Sequence, residues 1–471
     1  MKMAATKDNF LSLFSQYLML LLVCFSYCCH ASSKWPVRYL PGFNGPLPFH
    51  METGYVGVGE SDEDQLFYYF VKSETNPRED PLIMWLTGGP GCSGWSGLLY
   101  EVGPLIIEYK EFNGSIPGLL LNPHSWTKIA SIIFVDSPVR TGFSYSKGYK
   151  KSGDFKASKE LYQFLRKWLD DHPEFLSNPL YVAGDSYSGL ILPIVVQEIA
   201  KGIEVGQEPI LNLKGYSLGN PLTDYRIDQN GAIPFVRGMA LISDELYESA
   251  KKNCRGDYYI NSRNFLCAKD LHAIDECLYG LNKAQILEQR CAWAAPRPKE
   301  IGGLRRSLEN SSRLHPPDPF PAFGCMEYGY LLSYYYMNYY DIVRRALHIR
   351  KGTVGEWVRC NSDLHYVKEI NSTIEYHLNL TTKGYRALIY SGDHDLVVPF
   401  VGTETWIRSL NFSIVDEWRS WFVGGQIAGY TRAYVNNLTF ATVKGAGHTA
   451  PTYKPKNCFA MFERWLHGKA L

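Results

Sequence analysis

Beyond its N-terminal segment, the chain has no apolar run approaching the ~18 residues that a membrane-spanning helix needs. It also lacks an excess of charge of either sign. Its 48 Lys and Arg stand against 47 Asp and Glu, interspersed, for a net charge of +1. Without a basic stripe, nucleic acid is not an expected partner. The eleven cysteines form no CxxC pair and no Cys/His cluster with zinc spacing, so no metal is expected. There is no GxGxxG. The one glycine-rich loop, residues 87–94, lacks the Lys-Ser/Thr ending of a phosphate-binding loop, so no nucleotide or other cofactor is implied. The sequence carries no internal repeat and no signal for an oligomeric state.

What is present is a chain of 471 residues, 45% hydrophobic and 14% aromatic, with 33 Tyr and 11 Trp. That is enough for a large core, as one big α/β domain with an insertion or as two domains. Lys2 and Lys7 precede an apolar run at 17–25, and small Ala31, Ser32 and Ser33 follow. This is the three-part shape of a secretory signal peptide occupying 1–33, the alternative being an uncleaved anchor. After cleavage no membrane association is expected, and the mature protein belongs in the secretory pathway, in a vacuole or outside the cell. Cys24, Cys28 and Cys29 leave with the signal; Cys92, Cys254, Cys267, Cys277, Cys291, Cys325, Cys360 and Cys458 remain. In an oxidising compartment most of them should pair. Sequons at Asn113, Asn310, Asn371, Asn379, Asn411 and Asn437 add the expectation of some glycosylation.

Strand patterns at 53–58, 65–71, 81–86, 130–136, 180–185 and 211–218 alternate with helical ones at 154–168 and 191–200. Such alternation predicts an α/β fold with a mostly parallel central sheet flanked by helices. From 221 to 340 strand patterning fades and five of the mature cysteines crowd in, which reads as a cap inserted between two parts of the core, 34–220 and 341–471. Within it, 295–323 is basic and proline-rich, an expected exposed linker and protease target. The α/β pattern resumes with a helix near 340–347, strands at 385–390 and 439–443, and a closing helix at 456–466.

The chemistry is organised around Gly184-Asp185-Ser186-Tyr187-Ser188-Gly189, where an apolar strand runs into a helical pattern. That is the layout of a nucleophile elbow, in which a tight turn lifts the serine hydroxyl off the sheet. The strict pattern has Gly two residues after the serine; here Ser188 stands there, small enough for the same turn. The plain alternative is an ordinary strand-loop-helix corner. The loop Thr87-Gly88-Gly89-Pro90-Gly91-Cys92-Ser93-Gly94 follows a buried strand and exposes backbone N–H groups suited to a developing oxyanion, unless it is merely a tight turn. Asp395 and His448 also follow strand ends, giving the nucleophile, acid, base order Ser186, Asp395, His448. A serine hydroxyl needs a base to take its proton, imidazole titrates in the right range, and a carboxylate fixes its tautomer. Asp393 competes for the acid role; Asp395 is preferred because it lies deeper in the loop, with Asp393 bracing the turn.

Together with Tyr100-Glu101-Val102-Gly103-Pro104, Ser391-Gly392-Asp393-His394-Asp395 and Gly445-Ala446-Gly447-His448-Thr449-Ala450-Pro451, these stretches closely resemble the serine carboxypeptidase family, peptidase S10, across nearly the whole mature chain. The resemblance implies an α/β-hydrolase fold with a cap, the triad Ser186, Asp395, His448, and an oxyanion hole from the Gly89 and Tyr187 amides. It implies substrate binding by Thr87, the Gly88 N–H, Glu101 and Asp185, the positions that hold a peptide's terminal carboxylate in family peptidases. It further implies disulfides Cys92–Cys360, Cys254–Cys267 and Cys291–Cys325, leaving Cys277 and Cys458 as free thiols or an unexpected pair. Excision of the segment between Cys291 and Cys325, as in some family members, is set against an intact exposed loop.

Two positions depart from the peptidase pattern: Thr87 replaces an Asn and Asp185 replaces a Glu. Those forms resemble the plant acyltransferase branch, whose members move an acyl group from a 1-O-β-glucose ester to an alcohol or similar acceptor. The expected partners are therefore a small-molecule acyl donor and acceptor, or a peptide if the chain is a carboxypeptidase with tolerated drift. A lipase-like esterase would share the triad but not the carboxypeptidase-type motifs. A non-catalytic secreted binding protein would be expected to lack a triad member, and all three are present.

Overall fold

A computed structural model describes residues 34–148, 151–259, 264–289 and 325–471. Twelve strands form the main sheet. Its named strands are β1 (Lys34–Val37), β2 (Met51–Val58), β3 (Asp64–Val71), β4 (Leu82–Leu86), β5 (Ser131–Val135), β6 (Leu180–Asp185), β7 (Leu213–Gly219), β8 (Arg386–Gly392), β9 (Ile414–Val423), β10 (Gln426–Tyr434) and β11 (Leu438–Val443). They run in the order β1-β2-β3-β5-β4-β6-β7-β8-β11-β10-β9, with Tyr145–Ser146 pairing β3 off this path. Every pairing from β5 across to β11 is parallel. The flanks are antiparallel. The expected α/β fold with a mostly parallel sheet is what the chain forms.

The central strands are apolar on both faces because both are covered. Ile83 and Trp85 of β4, Tyr181 and Ala183 of β6, and Leu388 and Tyr390 of β8 belong to one apolar cluster. Their alternates Leu82, Met84, Leu180, Val182, Ala387 and Ile389 belong to another on the opposite face. The second cluster is closed by α1 (Asp154–Asp171) and α2 (Ser188–Glu204). Helix α1 buries Ala157, Leu161, Phe164, Leu165 and Trp168, one stripe at helical spacing. The first cluster is closed by α3 (Met326–Asn338) and α4 (Pro455–Leu466). Pro455 opens α4, where its missing N–H costs nothing. The helix then turns Cys458, Met461, Phe462 and Trp465 inward. Phe462 stacks on Trp126 at 3.7 Å between centroids, and Trp126 meets Trp85 edge-on at 5.6 Å.

Between β7 and β8 the described residues contribute no strand to the main sheet. The stretch 225–277 is largely helical and encloses a small apolar cluster of its own around Phe235, Val236, Ile242 and Ile274. Helix α3, in the stretch read as part of the cap, instead sends Tyr328, Leu332, Tyr336 and Met337 into the main core. The proline-rich linker at 295–323, the signal segment 1–33 and Asn310 lie outside the described residues. The other five sequon asparagines, Asn113, Asn371, Asn379, Asn411 and Asn437, are exposed. Among the described residues no helix is long and apolar enough to cross a membrane. The hairpin β9–β10 goes unread in the sequence because exposed, half-buried and buried side chains are mixed along it and the alternation that marks a half-buried strand is missing.

Phe462 is fully buried and its ring joins the closing helix to the sheet. Phe462→Ala is expected to cost about 3–5 kcal/mol, read as a lower urea midpoint with an unchanged slope.

Candidate active site

Strand β6 ends at Asp185, and α2 begins at Ser188. The corner between them puts Ser186 at φ +57°, the left-handed region that non-glycine residues rarely occupy. Its backbone is held on both sides: Ser186 N–H donates to Gly219 O at 2.9 Å, and Leu222 N–H donates to Ser186 O at 2.9 Å. The small flanking residues have a geometric cause. A Cβ at Gly184 would lie 2.3 Å from Leu86 O on β4, and one at Gly189 would lie 2.4 Å from Leu222 O. The glycine-rich loop after β4 presses on the same corner, since a Cβ at Gly88 would lie 2.6 Å from Ser186 Cβ and 2.8 Å from Tyr187 N. Thus the Gly88-Gly89 backbone passes beside the Tyr187 amide, and Gly89 itself has φ +123°.

His448 Nε2 is 2.7 Å from Ser186 Oγ, and His448 Nδ1 is 2.8 Å from Asp395 Oδ2. His448 N–H donates to Ala284 O at 2.7 Å, which fixes the loop after β11 from the helical insert side. Asp395 is fully buried and amply bonded. Its Oδ2 also accepts Asn220 Nδ2 at 2.9 Å and Val398 N–H at 3.1 Å, and its Oδ1 accepts Val397 N–H at 2.7 Å. These donors fix the orientation of the carboxylate toward His448. Burial alone would lower the His448 pKa, but the charge and hydrogen bond of Asp395, with Asp185 adding, leave it raised. Asp393 faces elsewhere: its Oδ1 accepts Gly445 N–H at 2.6 Å and lies 2.6 Å from His394 Nδ1. It braces the loop that carries His448.

The glycine loop is tied down at both ends. Asp136, buried just after β5, accepts Ser93 Oγ–H at 2.6 Å and Gly94 N–H at 2.8 Å. Cys92 and Cys360 are joined, with Cα atoms 3.9 Å apart. Ser93 N–H donates to Arg359 O at 2.7 Å, and Asn361 N–H to Gly91 O at 2.9 Å. Cys254 and Cys267 are joined as well, with Cα atoms 4.8 Å apart. Cys325 is disulfide-bonded; Cys291 lies outside the described residues. Cys277, exposed, and Cys458, buried, are free.

Beside the serine, two buried carboxyls and a cation act on one another electrostatically. The Gly88 N–H donates to Asp185 Oδ1 at 3.0 Å. Burial pushes Asp185 up to about 6, opposed by His448, the Gly88 N–H and Arg359. Glu101, at the end of the helical turn Gly97–Glu101, is held well above the usual carboxylate range by burial and by the Asp185 charge. Arg359 places its guanidinium 3.8 Å from the centre of the Tyr330 ring. Thr87 Oγ1, Glu101 Oε2 and Arg359 Nε are buried without a hydrogen-bond partner among the described residues.

Two residues here escape the sequence reading. Asn220, at φ +42°, accepts Gly392 N–H at 3.0 Å while donating to Asp395. Its signal is the Gly219-Asn220-Pro221 turn directly after a strand. Arg359 has only its place before Cys360, which matters once the disulfide to Cys92 is known.

A parallel α/β core with a half-buried serine at a strand-to-helix corner, and a histidine and an aspartate on later loops, is the α/β-hydrolase design. The chain belongs to the serine carboxypeptidase family, peptidase S10, whose profile it matches over residues 41–468. It is 50% identical to serine carboxypeptidase-like 2 of Arabidopsis thaliana over 98% of this chain and 99% of that one. It is 50% identical to serine carboxypeptidase-like 17 of the same plant, over 92% and 93%. Among solved structures it resembles Kex1(delta)p, a prohormone-processing carboxypeptidase of Saccharomyces cerevisiae. The TM-score is 0.73, at 20% identity over 92% of this chain and 96% of that one.

Gly184→Ala places a methyl group against the Leu86 carbonyl, a backbone atom that cannot swing away. The expected cost is about 1–3 kcal/mol, read as a lower thermal midpoint and loss of reactivity toward serine-directed fluorophosphonates.

Proposed function

We propose that the protein is a serine carboxypeptidase-like acyltransferase that moves an acyl group from a 1-O-β-glucose ester to an acceptor through an acyl-enzyme on Ser186. The observation that carries the serine chemistry is the pair of contacts made by His448, 2.7 Å to Ser186 Oγ and 2.8 Å to Asp395 Oδ2. In this reading His448 Nε2 takes the Ser186 proton as Oγ attacks the ester carbonyl. The Gly89 and Tyr187 amides receive the developing oxyanion. The C–O bond to the sugar breaks and His448 returns the proton to the leaving oxygen. An acceptor hydroxyl then gives its proton to His448, attacks the acyl carbon, and frees Ser186.

A triad alone does not favour an alcohol over water. Transfer needs a pocket that holds the acceptor hydroxyl at high effective molarity, and values of about 10⁵–10⁸ M are attainable when geometry is right. The wall formed by Thr87, Glu101, Asp185 and Arg359, with its unpartnered buried polar atoms, supports such a pocket beside Ser186. The carboxypeptidase reading has its own support there. Burial and the Asp185 charge hold Glu101 well above the usual carboxylate range, and burial pushes Asp185 up to about 6, so a substrate carboxylate could share a proton with these carboxyls in mildly acid conditions. The Thr87 and Asp185 departures favour the acyltransferase. The N-terminal signal pattern, the exposed sequons and the disulfides support a secretory or vacuolar location for either activity.

Ser186→Ala is expected to abolish the burst of acyl-enzyme. Asp395→Asn should lower kcat by about 10⁴-fold, because the imidazole then adopts the wrong tautomer. Asp393→Asn should cost less than about tenfold, since its carboxylate only braces the Gly445 loop. A larger loss in Asp393→Asn than in Asp395→Asn would reverse the assignment of the acid.

Product partitioning with a glucose ester donor decides between the two activities. The parent enzyme is expected to give mainly acyl transfer, and Thr87→Asn combined with Asp185→Glu is expected to raise hydrolysis relative to transfer. Efficient cleavage of blocked dipeptides, with only hydrolysis of glucose esters across a panel of acceptors, would leave the carboxypeptidase.

A further inference from the structure

Asp154 opens α1 and is fully buried. Its carboxylate accepts four hydrogen bonds from two separate segments. Oδ1 takes the Tyr187 hydroxyl at 2.8 Å and the Tyr366 hydroxyl at 2.9 Å. Oδ2 takes Glu369 N–H at 2.6 Å and Ile370 N–H at 2.9 Å. Glu369 answers by accepting Phe155 N–H at 3.2 Å through Oε2, which docks its segment on the start of α1. The Tyr187 ring is buried, meets the Tyr366 ring edge-on at 6.2 Å and lies under Lys368 Nζ at 5.5 Å. Burial and the Asp154 carboxylate both raise the Tyr187 hydroxyl pKa, so the phenol stays protonated and remains a donor.

Residues 360–370 therefore form a strap with two anchors. Cys360 binds one end covalently to Cys92 in the glycine loop. Asp154 binds the other end, and by the same carboxylate it holds the side chain of the residue directly after Ser186. The Gly89 amide and the Tyr187 amide are thus referenced to one strap, although they come from loops almost a hundred residues apart in sequence. Fixing the Tyr187 ring fixes its Cα–Cβ direction, and with it the backbone turn that aims its N–H toward the glycine loop. A displacement of about 1 Å in such a donor can cost about 100-fold in rate.

We infer that Asp154 is a positioning residue for the oxyanion site, holding the Tyr187 amide in register with the Gly89 amide through the Tyr187 hydroxyl and the 360–370 strap. The inference rests on the reading above in which those two amides receive the oxyanion.

The test uses full-length glycosylated protein and the pre-steady-state burst with p-nitrophenyl acetate, a probe that reports acylation of Ser186 whatever the natural acceptor. Ser186→Ala supplies the blank. Tyr187→Phe removes one hydroxyl and leaves the backbone and ring in place. It is expected to slow acylation about tenfold, with burst amplitude, ester saturation constant and thermal midpoint unchanged. Asp154→Asn, which turns an amide N–H₂ toward existing donors, is expected to slow it about 100-fold. Inhibition by phenylboronic acid should weaken by the same factors, because its tetrahedral serine adduct places an oxygen against the same two amides. A role confined to stability would lower the thermal midpoint without this parallel loss. A Tyr187→Phe rate within twofold of the parent overturns the inference. So does a raised saturation constant at unchanged rate, which would make Tyr187 a wall of the acyl pocket. Absence of a burst in the parent enzyme overturns the nucleophile assignment itself, and the inference with it.

Discussion

Backbone crowding at the β6–α2 corner sets the terms for the rest of the site. Ser186 is held at φ +57°, a conformation that costs an L-residue about 1–2 kcal/mol. It persists because the surroundings leave no other route. The Leu86 carbonyl fills the space a side chain at 184 would need, the Leu222 carbonyl fills that at 189, and the Gly219 carbonyl and Leu222 amide bond Ser186 from either side. The same crowding brings Gly88 against the Tyr187 amide. The corner that holds Ser186 and the contact that brings the glycine loop against the Tyr187 amide are therefore one packing arrangement. Strain of this kind is concentrated where function needs a fixed geometry.

The parallel sheet supplies everything else by topology. Its central strands all point the same way, so their C-terminal ends meet at one edge. Strand β4 delivers the glycine loop, β5 Asp136, β6 Ser186, β7 Asn220, β8 Asp393 and Asp395, and β11 leads to His448. Each is a residue or two, or one short loop, past its strand. Ligand sites outside the carboxyl ends of parallel strands are the general rule for such sheets, and here six chain segments obey it at once. Because neighbouring strands are rigidly paired, residues separated by two or three hundred positions meet within hydrogen-bond distance.

This explains which parts of the site were legible in the sequence. Ser186, Asp395 and His448 could be found because each has a local signature: an apolar strand, a glycine or turn, and a reactive side chain just beyond. Tyr187 and the glycine loop follow from the same local grammar. Asn220 sits in a turn after a strand but has no chemistry of its own to mark it. Arg359, Asp154 and the strap are invisible locally, since their roles come from what packs beside them: a disulfide partner 268 positions away and a tyrosine on another strand end. The central strands were readable because they are apolar throughout. The β9–β10 hairpin was not, because its mixture of exposed, half-buried and buried side chains carries no alternation, although Gly424-Gly425 offered a turn signal between two β-prone runs. Helix α3 was assigned to the cap from its cysteine- and proline-rich neighbourhood, whereas its tyrosines and leucines join the main core.

The electrostatics of the site couple the carboxyls beside Ser186 to His448. Asp185 serves two opposing demands: the Gly88 N–H favours its ionised form, and burial next to Glu101 favours its protonated form. Two carboxyls so placed do not ionise independently, and the proton they retain belongs to the pair. Asp185 also acts on His448, raising its pKa in the same direction as Asp395, while Arg359 acts against it. A change in the charge on Asp185 therefore changes the basicity of the His448 imidazole. An ionised Asp185 keeps His448 a stronger base, and a proton driven onto the carboxyl pair weakens it. Residue 185 thus tunes the imidazole electrostatically, and that position is one of the two at which this chain departs from the peptidase pattern.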